Sequence, residues 1–153
     1  MDRQRVTSLV PMAQVADVAA SAAFYEKLGF EVGGSFAPPG EDQPSWLSLR
    51  SGAAELMLAR ASAPVAAVPQ AVLFYVYCGD VERMRGQLAD AGLQPGPIAK
   101  PFYNPAGEFR LVDPDGHVVM VTHSQASARD RKESAKRVTV THFSARNPPL
   151  PPA

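Results

Sequence analysis

Asp17-Val18-Ala19-Ala20-Ser21-Ala22-Ala23-Phe24-Tyr25-Glu26-Lys27-Leu28-Gly29-Phe30 is a helix with both ends written into it, and the chain repeats its punctuation from Asp80-Val81 to Gly92-Leu93. Asp suits an N-cap because its carboxylate accepts from the first unpaired amides and faces the positive helix end. Gly, twelve residues on, supplies the left-handed residue that closes the last turn. The two Asp residues stand sixty-three positions apart, as do the two Gly. A third landmark follows each: Gly52 comes thirty-five residues after Asp17 and Gly116 thirty-six after Asp80. A repeat held over most of a chain points to two copies of one module. Two copies are too few for a solenoid, so a pair about a pseudo-twofold axis is expected, with a ligand-sized cleft where the sheets meet.

Working outward, Val6 to Val15 is apolar and β-branched enough for a strand, with Pro11 marking an edge or a bulge. Phe30 to Phe36 reads as the next strand, and Trp46 to Arg50 with Ala53 to Arg60 as a hairpin about Ser51-Gly52. The order β-α-β-β-β then recurs. Ala71 to Tyr77 is a strand, Val81 to Ala91 a helix, Ile98 the centre of a weaker strand broken by prolines, and Glu108 to Val112 with His117 to His123 a closing hairpin. Its turn, Asp113-Pro114-Asp115-Gly116, has residues that suit tight geometry. Ala61 to Gln70, rich in Ala and Pro, reads as a linker. After Ser124 the character changes to a charged stretch, the strand-like Arg137 to Phe143 and a proline-rich end; residues 125–153 are expected to be an appendage resting on its own domain or on a partner.

Of the 153 residues 46% are hydrophobic, enough to give one domain a core. Fifteen basic residues balance fifteen acidic ones, so no bulk field favours nucleic acid. No apolar run reaches the length of a membrane span. The single cysteine, Cys78, has no internal disulfide partner, which suits a reducing cytoplasm.

Pro11-Met12, Asp17-Val18, Ser21, Phe24-Tyr25, Lys27-Leu28-Gly29-Phe30, then Glu108-Phe109 before Asp113-Pro114-Asp115-Gly116, form a recognisable series. It resembles the vicinal oxygen chelate superfamily, which groups glyoxalase I, bleomycin-resistance proteins, fosfomycin-resistance proteins and extradiol dioxygenases. The resemblance implies an α+β domain over residues 5–124, built of two βαβββ modules (5–60 and 71–124) that form a cupped mixed sheet, and a homodimer.

Enzymes of that superfamily carry metal ligands, usually His and Glu, on the inward faces of the first and last strands of each module. Counting seven back from each capping Asp gives Val10 and Leu73; counting four forward from each hairpin Gly gives Leu56 and Met120. Hydrocarbon and thioether are poor donors for the usual divalent ions, so no metal and no cofactor is expected. Residues 1–116 contain no histidine. If the strand slips by one residue, Glu55 replaces Leu56 on the inward face. His117 and His123 have the opposite parity to Met120 and are expected to point away from the cup, while His142 lies in the appendage.

The same alternation sets Leu73, Tyr75 and Tyr77 on one inward wall, faced by Val10, Met12 and Gln14 and by Val118, Met120 and Thr122, with Trp46 and Tyr103 on the loop side. Glu108 and Arg110 share parity and suggest a charged pair at the rim. A ligand set of Val10, Met12, Trp46, Leu56, Leu73, Tyr75, Tyr77, Tyr103, Glu108, Arg110 and Met120 follows, suited to a planar or amphipathic compound such as an antibiotic. The expected function is small-molecule binding without metal. The alternatives are a metal-dependent lyase, isomerase or dioxygenase of the same superfamily, and a metal-free enzyme using Tyr or Glu108 as acid or base.

Overall fold

The computed structural model describes residues 6, 8–66 and 70–123. The elements are β1 (Met12–Val15), α1 (Val18–Lys27), β2 (Glu31–Phe36), β3 (Trp46–Ser51), β4 (Ala54–Arg60), β5 (Leu73–Cys78), α2 (Val81–Asp90), β6 (Glu108–Val112) and β7 (Val118–His123). The first module forms a sheet of order β1-β4-β3-β2 and the second one of order β5-β7-β6. Both sheets are mixed: β1 runs parallel to β4 and β5 to β7, while the hairpin neighbours are antiparallel. The duplicated α+β fold is therefore present. The appendage and His142 lie outside the described residues.

The helix punctuation works as its chemistry requires. Asp17 accepts from the amide of Ala20 and Asp80 from that of Arg83, each at 3.0 Å. Gly29 and Gly92 take φ of 90° and 82°, a region where a side chain would be strained. Two strands come out shorter than expected. The first begins only at Met12, although the carbonyl of Pro11 still accepts from Met57 at 2.9 Å. The strand about Ile98 reduces to one bridge between Ala99 and Glu108, plus a bond of 2.9 Å from the Gly96 amide to the Arg110 carbonyl. Pro95 and Pro97 have no N–H to donate, so a continuous ladder cannot form there.

One face of each sheet packs against a helix. Ala13, Val15, Leu47, Leu49, Leu56 and Leu58 meet α1, and Phe109, Leu111, Val119 and Val121 meet Val81 and Leu88 of α2, in a single apolar cluster. The cluster is crossed by a buried polar latch. In the turn before β7, Asp115 accepts from the Ala16 amide at 2.8 Å and from the Ser21 hydroxyl at 3.1 Å, while Asp113 accepts from the Tyr25 hydroxyl at 3.0 Å. The second module's turn thus seats the first module's helix. The side chain of His117 lies 2.9 Å from Asp113 and stacks on Phe74, so this histidine is buried, partnered and turned away from the open face.

The register of β4 differs from the expectation. Leu56 is 4% exposed and belongs to the core, whereas Glu55, Met57 and Ala59 occupy the opposite face. The cause is turn length. Ser48 pairs with Met57 across Gly52-Ala53, but Arg110 pairs with Met120 across a turn one residue longer, so counting from the hairpin Gly carries that extra residue into the strand. The parallel pairs have no such ambiguity: Met12 lies beside Met57 and Tyr75 beside Met120, each partner displaced by the same sixty-three residues as the capping Asp.

Candidate functional site

The sheet faces turned away from the helices are open. On the second sheet Tyr75 pairs across β7 with Met120 and on to Arg110, and Tyr77 with Thr122 and on to Glu108. Leu73, Tyr75 and Tyr77 are each about half exposed, and the two tyrosine rings lie 6.4 Å apart at 32° to one another. On the first sheet Met12, Gln14, Met57 and Ala59 adjoin Trp46, which pairs with Phe36. Gly34 and Ser48 leave low ground beside the indole, since a Cβ at Gly34 would sit 3.7 Å from the Trp46 ring and 3.1 Å from the Ser48 hydroxyl. Val10 precedes β1, half-buried. Among the expected ligand-contacting residues, Leu56 alone faces the core.

Polar groups gather at one end of the Tyr75–Tyr77 wall. Glu108 was expected at a rim, yet it is 5% exposed. One carboxylate oxygen accepts from the Tyr103 hydroxyl at 2.9 Å and the other from the Asn104 side-chain amide at 3.0 Å. The same amide donates to Thr122 at 2.7 Å. The loop of Phe102 to Gly107 folds over the strand and covers the carboxylate. The hydrogen bond to Glu108 raises the phenol of Tyr103 above its ordinary range, with partial desolvation and the Glu108 charge adding to it. No ion pair joins Glu108 to Arg110. Asn104, Phe36 and Met57 were missed in the sequence; Asn104 stands in a proline-flanked loop, where nothing local signals the reach to Glu108.

On the first sheet Glu55 pairs with Arg50 at 3.5 Å, both partly exposed. Such a pair is worth little.

The match of residues 8–121 to the model of the glyoxalase/bleomycin resistance protein/dioxygenase superfamily coincides with the two modules just described. The chain belongs to that superfamily. No curated protein matches it. Among solved structures it is similar to a bleomycin resistance determinant encoded on the transposon Tn5, with 20% identity, TM-score 0.63, and 78% of this chain and 99% of that one covered. It is also similar to a bleomycin-binding protein from Streptomyces verticillus solved with copper(II)-bleomycin, with 20% identity, TM-score 0.60 and coverage of 80% and 100%. A third similar structure is TnmS3, an antibiotic-binding protein from Streptomyces sp. CB03234, with 19% identity, TM-score 0.61 and coverage of 80% and 100%. Likeness at this level establishes the fold.

Metal-using members of the superfamily need oxygen or nitrogen donors on the paired inner strands. Carried through the observed register, the sixty-three-residue offset matches Met57 with Met120, and Val10, just before β1, with Leu73. Two hydrocarbons and two thioethers do not fit a hard divalent ion. Among the described residues no group of three His, Cys, Asp or Glu side chains is placed to hold a metal ion, and no helix is long and apolar enough to cross a membrane.

Proposed function

We propose that the protein holds a planar, apolar or amphipathic small molecule, such as an antibiotic, against its open sheet faces without a metal, as a cytoplasmic homodimer. The observation that carries this reading is the half-exposed wall of Leu73, Tyr75 and Tyr77, backed by Met120. Aromatic rings with polar tips and a pliant thioether suit a flat guest with a few hydrogen-bonding groups. Relatives of the same fold bind bleomycin or another antibiotic. Met12 and Phe36 on the open face of the other sheet are also more than half exposed, and apolar side chains left open in this way support a second copy as cover. In that dimer, residues 5–124 form the holding domain and residues 125–153 a stabilising appendage.

Thermal-shift titration with bleomycin and a panel of aromatic antibiotics tests the reading. A ligand that binds only the native state at a hundred times its Kd adds about 2.7 kcal/mol of apparent stability. The competing reading, a metal-dependent enzyme, has Glu55 in its favour, since the observed register places that carboxylate on the open face. One tightly held Zn, Ni, Mn or Fe per chain, lost in Glu55→Ala, would overturn the metal-free proposal.

A further inference from the structure

Arg110 is exposed on the open face of the second sheet, in the row that runs from Tyr75 through Met120. Its nearest acidic neighbour along β6 is Glu108, two residues away on the same face. Left to itself, that carboxylate would be expected to swing toward the guanidinium. It does not, because Tyr103 holds one oxygen and Asn104 the other. Asn104 is itself fixed by Thr122 and by the Gly107 carbonyl, at 2.7 and 3.3 Å. Glu108 is thereby buried and oriented by neutral donors. On the first sheet the open-face arginine, Arg50, has Glu55 for a partner, whereas Arg110 has no ion pair among the described residues. A planar fork of donors therefore stands beside the aromatic wall without an ion-pair partner among the described residues.

We infer that Arg110 is the specificity residue of this site and that the held molecule is a planar aromatic carrying a carboxylate, its rings against Tyr75 and Tyr77 and its carboxylate on the guanidinium. The inference deepens the proposed holding function and rests on it. Guanidinium and carboxylate match in planar, paired geometry, and such charge-assisted bonds are about twice as strong as neutral ones. The apolar wall beside the pair lowers the local dielectric and strengthens it. Tyr103 and Asn104 act as positioning residues, since they keep Glu108 from neutralising the arginine.

The test is fluorescence titration of the full chain with 2-anthracenecarboxylate and its neutral carboxamide, which share the ring system. The wild-type protein is expected to bind the carboxylate about tenfold more tightly than the carboxamide. Arg110→Met removes that preference and leaves carboxamide affinity within about twofold, while Tyr75→Ala weakens both probes together. Asn104→Ala, which frees Glu108 toward Arg110, reduces the carboxylate preference with Arg110 intact, a result that a purely structural role for Asn104 would not produce. Equal affinity of the two probes for the wild type, or a preference that survives Arg110→Met, overturns the assignment to Arg110 while the holding function stands. Binding of neither probe removes the aromatic wall as a binding surface, and this inference with it.

Discussion

Asp115→Ala cuts the latch between the modules and has a magnitude that can be worked from its partners. The carboxylate serves the Ser21 hydroxyl and the Ala16 amide. Ser21 is fully buried and would lose its charged acceptor where water cannot replace it, which costs about 1–3 kcal/mol. Ala16 is exposed and its amide can turn to solvent, so its loss is nearer 0.5–1 kcal/mol. Relief of repulsion from the neighbouring Asp113 carboxylate offsets part of this, leaving about 1–3.5 kcal/mol in all. Asp115→Asn should cost only about 1 kcal/mol, because the carboxamide keeps an acceptor for Ala16 and presents an N–H to the Ser21 oxygen. Urea unfolding followed by circular dichroism is the assay, with the midpoint falling at unchanged slope. A loss under about 0.5 kcal/mol in Asp115→Ala, or equal losses in the Ala and Asn variants, would refute the reasoning. A cycle with Ser21→Ala should show coupling of about 1 kcal/mol.

Burial, with the Asp113 charge and hydrogen bond, pushes the Tyr25 phenol far above its ordinary value of 10.0. A folded-state pKa above the unfolded one means that stability is intact below pH 10 and falls as the unfolded chain ionises above it, by about 1.4 kcal/mol per pH unit. Urea unfolding between pH 9 and 11 should show that fall, and Tyr25→Phe should flatten it. Gly107→Ala should cost about 1–3 kcal/mol, because Gly107 has φ of 95° and a Cβ there would meet the Ile98 side chain at 2.9 Å; thermal melting measures it. Trp46→Ala should weaken binding of any aromatic ligand found by thermal shift, with the unliganded midpoint nearly unchanged, since the half-buried indole borders the open face. Removing the residues after Ser124 should lower dimer stability in sedimentation; an unchanged profile would count against the appendage's part in assembly.

The helices and their caps were legible because a cap is a local device: Asp17 and Asp80 need only the amides three residues on. Parity along β5 was legible too, since Tyr75 and Tyr77 are separated from Asp80 by no turn of variable length. The β4 register was not, because the two hairpins differ by one residue and period-two alternation turns that difference into a change of face. Glu108 shows a second limit. Its place on β6 was readable, but its burial depends on Tyr103 and Asn104 folding back over the strand, and loop paths leave no periodic trace. Ser21 and Tyr25 stood out in the sequence without a reason; their partners, Asp115 and Asp113, are some ninety residues away.

The latch also works in one direction only. The turn Gly52-Ala53 carries no acidic side chain with which the first module might repay the second. A chain growing from its N-terminus makes Ala16 ninety-nine residues before the aspartate that receives its amide. The first half therefore waits for the second with its helix seat unfinished, and the last hairpin among the described residues is the one that completes it. A nascent chain halted before Asp113 should be cut readily by protease within α1, and one extended past His123 should resist.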